Sequence, residues 1–279
     1  MATKCFLAGM SPERVDPGRT KPSFTEILMI VSGLSPASLS LISTLYSLVF
    51  PTILPVSSPE VAEMTKLYEN CQRMVCAAYA NEMADACFSL GIDAFEVSSA
   101  AASKPFGYLP FRLGPGIGGH CIPVNPYYLL SNCDMPLLEH ATALSWQRPG
   151  NVARRFMREL LEDRAEQMPE AERDMSPLRI VVVGLGFKRG QSILSNSQGV
   201  AIIRTLKEEF DLYVEFADPL VSSTLFDEVP KLDTKVNWNT DYLEAFNGVI
   251  VSLDQKILAR HIESPYYGIE GHFDIEGTV

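Results

Sequence analysis

The sequence predicts an α/β protein in three parts, and three observations carry that prediction. Near the C-terminus, "LRIVVVGLGF" (178–187), "LYVEFADP" (212–219) and "GVIVSL" (248–253) are apolar runs bounded by turn residues, with the helical pattern "SQGVAIIRTLKEEF" between the first two. Buried strands alternating with helices are the pattern of a parallel sheet with a nucleotide-binding shape. The middle of the chain, from about 57 to 175, is helical and contains no strand pattern. The first 56 residues hold one short strand–helix–strand, too small to stand alone.

The elements follow in order. "ILMIV" (27–31) reads as a buried strand. "SPASLSLISTLYSLVF" (35–50) opens with Ser35 at the N-cap and Pro36 at the first helical position, as a helix should. "ILPV" (53–56) is a second short strand. A helix over 58–92 opens on Ser58-Pro59 and stops at Gly91. Its apolar stripe runs through Val61, Met64, Leu67, Tyr68, Cys71, Met74, Val75 and Ala78. A second helix covers about 93–102, and a glycine-rich loop follows. "NPYYLLSNC" and "EHATALSWQRPGNVARRFMRELLEDRAEQM" read as helical, with a break expected at Pro149-Gly150.

Composition narrows the function. The chain has 279 residues, a net charge of −11 and 20% charged residues. The acidic balance argues against non-specific binding to nucleic acid or to an anionic membrane. The one membrane candidate, Ile30–Phe50, is rich in serine and broken by Pro36, so a buried strand followed by a helix is the preferred reading. The six cysteines show no CxxC and no zinc-like spacing with the four histidines, and no metal site is expected. With no secretory pattern at the start, the expectation is a reduced, cytoplasmic protein.

Two glycine motifs bear on chemistry. "GLGFKRG" (184–190) follows a strand and precedes a helix, and Asp218 ends the next strand. Its spacing is one residue longer than the dinucleotide fingerprint, so a tight turn without ligand is as reasonable. Lys188-Arg189 tilts it toward an anion at a helix N-terminus. "GPGIGGHCIPVNPYYL" (114–129) places four glycines and Pro115 ahead of Cys121, with no obvious packing need for them. Five cysteines read as small buried hydrophobes, whereas Cys121 reads as a candidate nucleophile presented by the loop. Lys66 and Asn70 lie four apart on one face of the long helix, at the border of its apolar stripe. From spacing alone they read as a solvated edge.

"SPERVDPG", "SPEVAEMTKLYEN", "NEMADACFSLGID" and "KPFGYLPFRLGPGIGGHCIPVNPYYL" closely resemble the UDP-glucose/GDP-mannose dehydrogenase family, nearest its UDP-N-acetyl-hexosamine 6-dehydrogenase branch. The resemblance runs from about residue 9 to about 255. It implies oxidation of a UDP-sugar C6 alcohol to a carboxylate in two NAD-dependent steps, through a cysteine thiohemiacetal and thioester, and a polysaccharide-precursor role. It implies Cys121 as nucleophile, Lys66 as the cation facing the oxyanion, Asn70 beside it, and Glu13 with the hydrolytic water. A nearby Lys66 would also favour the Cys121 thiolate. Arg14, Val15, Phe111, Arg112, Gly118, Gly119, Phe187 and Lys188 are implied on the substrate, the two glycines giving backbone room beside the sugar. The implied domains are a remnant of an N-terminal NAD-binding Rossmann domain (1–56), a central helical dimerisation domain carrying the cysteine loop (57–175), and a C-terminal Rossmann-like nucleotide-sugar domain (176–279). The implied partner is a second copy, joined through the central domain.

The departures are specific. Most of the N-terminal NAD-binding domain, with its G-x-G-x-x-G and a catalytic threonine, is expected to be missing, and the last domain to be truncated. Asn125 stands where the family has an aspartate four residues after the cysteine, and an amide cannot act as a general base. Ser195 stands where a family arginine reaches the NAD diphosphate, within Ile193–Ser197 in place of D-x-R-E-S. Two readings stay open: a working dehydrogenase, or a degenerate homologue that binds a nucleotide sugar or pairs with an active subunit without turnover. Strands 27–31 and 53–56 would leave exposed apolar surface, for which poor solubility or a covering partner is expected.

Overall fold

The computed structural model describes residues 6–16, 21–167 and 176–255, and the chain divides into two compact units, 1–72 and 73–279. The first unit is built on a parallel pair, β1 (Met29–Val31) and β2 (Ile53–Pro55), joined through α1 (Pro36–Tyr46). Ser35 caps α1 by accepting from the Ser38 N–H at 3.1 Å, and Pro36 takes the first turn, as the sequence indicates. β1 is buried throughout, whereas β2 is partly exposed. Leu34, Leu41, Leu45, Leu48 and Val49 are all exposed, so this unit does present apolar surface.

The helix α2 (Pro59–Ser89) passes from the first unit into the second. It ends in a paired hydrogen-bond motif: Ile92 N–H donates to Cys87 C=O at 2.9 Å and Gly91 N–H to Phe88 C=O at 3.0 Å. Gly91 has φ +68°, the left-handed conformation this ending requires. The predicted apolar stripe needs correction. Cys71, Met74 and Ala78 are buried, but Val61, Met64 and Tyr68 are exposed, and the buried row takes in Asn70 (3% exposed) and Asn81 (4%). Asn70 is therefore not on a solvated edge.

In the second unit, α3 (Ala94–Ala102) is capped by Asp93, whose carboxylate accepts from Phe95 and Glu96 N–H. A loop leads to α4 (Asn125–Leu130) and then to α5 (Pro136–Gln167). The break expected at Pro149-Gly150 is absent, because α5 runs through both residues. Pro149 removes the hydrogen bond that Ser145 C=O would accept, but that carbonyl faces Gly116 and the Pro149 ring packs there too.

The rest is a three-stranded parallel sheet in the order β4 (Leu212–Ala217), β3 (Leu178–Val183), β5 (Gly248–Val251). α6 (Gln198–Glu209) makes the crossover from β3 to β4, and a single turn, α7 (Thr240–Leu243), precedes β5. One face of the sheet packs Val152, Phe156 and Met157 of α5 with Ile202, Ile203 and Leu206 of α6. The other packs Leu232, Trp238, Leu243 and Phe246. Both faces are covered, which is why the strands read as continuous apolar runs.

Candidate active-site loop

The loop between α3 and α4 is held at three points before it reaches Cys121. Gly114 is gripped twice: its N–H donates to Asn81 Oδ1 at 3.0 Å, and its C=O accepts from Arg148 Nε at 2.6 Å. Gly116 C=O accepts from Gln198 Nε2 at 3.2 Å. Gly119 N–H donates to Ser195 C=O at 2.8 Å, and its own C=O accepts from Asn196 Nδ2 at 2.8 Å. Cys121 follows, half-buried, and its C=O accepts from the N–H groups of Val124 (3.1 Å) and Asn125 (2.9 Å) at the entry to α4.

The glycines have a packing reason that their sequence did not disclose. A Cβ on Gly118 would lie 2.9 Å from Phe187 Cβ and 2.9 Å from Asn196 C=O. One on Gly119, at φ +89°, would lie 3.0 Å from the Phe187 ring. A Cβ at Gly116 would press on Ser145 C=O and Pro149. The chain itself fills the room that Gly118 and Gly119 leave.

The remaining sequence-derived candidates fall into separate groups. Cys121, Gly118, Gly119, Phe187 and Ser195 are brought together by the loop contacts, Ser195 through its backbone while its side chain stays exposed. Lys66 and Glu13 face each other in the first unit with Nζ and Oε2 3.5 Å apart. Glu13 also accepts from the Val15 N–H, and Arg14 donates to Leu28 C=O (2.9 Å) and Glu69 (2.7 Å). Asn70 is buried one turn on from Lys66. Phe111 turns instead to an apolar groove of about 720 Å³ beside Tyr79, Met83, Val97 and Tyr108, and Arg112 is exposed. Lys188 is half-buried next to Phe187, and Asn125 is the first residue of α4.

Arg148 was not anticipated, nor were Asn81, Asp85, Asn196 and Gln198. Arg148 is 7% exposed, and its Nη1 meets Asp85 at 2.6 Å, while Arg155 takes the other Asp85 oxygen at 2.8 Å. Burial pushes the Arg148 pKa down, opposed by the Asp85 carboxylate. This cluster lines a cavity of about 360 Å³ with Phe88, Phe95, Gly114 and Glu159. Among the described residues Glu159 Oε1 is buried without a hydrogen-bond partner, and burial raises its carboxyl pKa despite Arg155 and Arg158. A carboxyl group with a raised folded pKa favours folding below its unfolded pKa, and that contribution is lost as pH rises through the folded value. Glu159→Gln should therefore raise the melting temperature by roughly 1–3 °C at pH 7, with the two proteins converging near pH 4. Thermal unfolding across that range checks it, and a constant offset at all pH values would contradict the carboxyl origin.

The turn after β3 does not fit a dinucleotide. The Leu185 and Gly186 N–H groups, which would face a phosphate, donate to the Asp218 carboxylate at 2.8 and 3.3 Å. Arg189 is drawn to Asp254 rather than left for an anion. The helix α6 starts only at Gln198, with Ser197 as its cap. At the β1–α1 turn, Ser32 and Leu34 N–H donate to the carbonyls of Met10 and Ala8. Among the described residues, neither strand-to-helix turn leaves a cradle for the NAD diphosphate. The described residues also hold no cluster of histidine, cysteine or carboxylate able to bind a metal, and no helix long and apolar enough to cross a membrane.

Comparison with known proteins identifies the family. Residues 60–146 match the central domain of the UDP-glucose/GDP-mannose dehydrogenase family. The chain is 33% identical over 219 residues to a UDP-N-acetyl-D-glucosamine 6-dehydrogenase from Pseudomonas aeruginosa, covering 78% of this chain and 50% of that protein. It is 32% identical over 224 residues to a UDP-N-acetyl-D-mannosamine dehydrogenase from Pyrococcus horikoshii, with the same coverage of 78% and 50%. Among solved structures, a UDP-D-ManNAc dehydrogenase from Pyrococcus horikoshii superposes with a TM-score of 0.74 at 26% identity, covering 93% of this chain and 63% of that one. The chain spans about half the length of the curated relatives it matches. On these matches the chain belongs to the UDP-glucose/GDP-mannose dehydrogenase family.

Proposed function

We propose that this chain carries the thiol-bearing, nucleotide-sugar-binding part of a UDP-sugar 6-dehydrogenase whose oxidant is NAD. The observation that supports it most is the Cys121 loop, tied at Gly114, Gly116 and Gly119 and backed by Phe187. In this reading the Cys121 thiolate adds to the C6 aldehyde carbon of the sugar and forms a thiohemiacetal. Oxidation of that adduct to the thioester would need a hydride acceptor, NAD in this reading, held outside the turns described above; attack of water on the thioester would then break the C–S bond, releasing the carboxylate and restoring the thiol. Lys66 would face the oxyanion, and Glu13, which it meets at 3.5 Å, the hydrolytic water. Asn70 would act beside Lys66, and Arg14, Val15, Arg112 and Lys188 would contribute to sugar and nucleotide binding. A second copy of the chain would pair with it through the helical region 57–175.

A second reading has its own support. Asn125 offers no general base near the cysteine, Ser195 offers no guanidinium, and the turn after β3 is filled by Asp218. A chain with these features would bind a nucleotide sugar, or pair with an active subunit, without turnover. Calorimetric titration with UDP-N-acetylglucosamine and with NAD, done separately, discriminates the two. Binding of both with NADH formation, abolished by Cys121→Ser, supports the enzyme. Sugar-nucleotide binding alone supports the non-turnover reading, and binding of neither removes both the enzyme and the sugar-binding form of the second reading.

A further inference from the structure

Asn196 is the one residue other than glycine with positive φ (+50°) among the described residues. Asparagine tolerates this region better than most residues, but a position held there signals that its surroundings demand it. The demand is visible. In this conformation two consecutive residues reach the same glycine from either side: Ser195 C=O takes the Gly119 N–H at 2.8 Å, and the Asn196 amide donates to the Gly119 C=O at 2.8 Å. Both polar groups of Gly119, two residues ahead of Cys121, are thereby fixed by partners more than seventy residues away in sequence. Gln198, from the first turn of α6, adds the contact to Gly116. Gly118 lies flat between the Asn196 carbonyl and Phe187, where a Cβ would not fit.

We propose that Asn196 is a positioning residue for Cys121: its side-chain amide, aimed by the left-handed backbone, closes a clasp on Gly119 that sets the presentation of the thiol. The role in catalysis rests on the reading of Cys121 as nucleophile; the clasp itself does not. Asn196 is exposed, so its replacement should leave the fold intact.

Two variants separate amide from backbone. Asn196→Asp keeps the shape and tolerance of positive φ, but sets a carboxylate against the Gly119 carbonyl. Asn196→Gly relieves the backbone and removes the amide. The readout is the rate at which each cysteine of the full chain is alkylated by iodoacetamide, followed by mass spectrometry. Cys71 and Cys87 are buried and Cys133 is exposed, so they bracket Cys121 within the same molecule. Both variants should speed alkylation of Cys121 about three- to tenfold, the population change expected from one net hydrogen bond, and leave Cys71, Cys87 and Cys133 unchanged. The clasp is overturned if Cys121 keeps its rate in both variants, or if Cys71 and Cys87 accelerate in parallel, which would mean general loosening. Titration with UDP-N-acetylglucosamine adds a separate arm. A parent chain that does not bind it removes the catalytic reading, while the alkylation pattern still decides the clasp.

Discussion

Asp218→Ala is expected to cost about 4 kcal/mol of folding stability, a large share of the 5–15 kcal/mol typical of a domain. The reason is the number of donors that converge on one fully buried carboxylate. Oδ2 accepts from Leu185 and Gly186 N–H, and Oδ1 from Leu220 (2.8 Å) and Val221 (3.1 Å). Removing the side chain orphans four backbone N–H groups at the C-terminal ends of β3 and β4, and a buried unsatisfied donor costs about 1–3 kcal/mol before water enters. Asp218→Asn should cost roughly half as much. It keeps one oxygen for one pair of donors and turns an amide NH2 against the other pair. Urea unfolding followed by tryptophan fluorescence reads both, since Trp238 is buried against the same sheet. A loss below about 1 kcal/mol for Asp218→Ala would mean that solvent already reaches these amides.

That carboxylate also shows what the sequence could and could not convey. The pattern of apolar runs located β3, β4, β5 and α6 closely, because strands buried on both faces leave a one-dimensional record. The caps at Ser35 and Gly91 were legible for the same reason, being local chemistry. The motif "GLGFKRG" was ambiguous since its ligand, Asp218, lies more than thirty residues on. Nothing in the spacing says that the protein supplies its own anion. Pro149 misled because the helix continues through it, with its ring packed near Gly116 of another segment. The cysteine loop itself was conspicuous, but its anchors were not, since Asn81, Arg148 and Asn196 act across 33, 34 and 77 residues. Two of them did leave a trace. Asn81 continues the buried row of Asn70, Met74 and Ala78 on α2, and Arg148 sits in that of Leu138, Ala141, Ser145 and Val152 on α5. A polar residue placed on an apolar stripe is a request for a partner.

Arg148 is where that request is most consequential. Arg148→Met keeps much of the side-chain volume but removes the donors to Gly114 C=O and to Asp85. The loss should be about 3 kcal/mol, from two hydrogen bonds made by a charged group and a buried carbonyl left without a partner. Arg148→Lys should recover little, since one ammonium cannot reproduce the guanidinium fork that reaches a carbonyl on one loop and a carboxylate on a helix at once. Asp85→Asn should be milder, because the Asp85 side chain is 47% exposed and water can replace part of what Arg148 and Arg155 provide. In a double-mutant cycle, the Arg148–Asp85 coupling should then account for only about 1 kcal/mol, leaving the larger part with Gly114. If the coupling instead matches the whole loss, Arg148 serves the ion pair, and the loop ahead of Cys121 is held by Asn81 and the 195–198 segment alone.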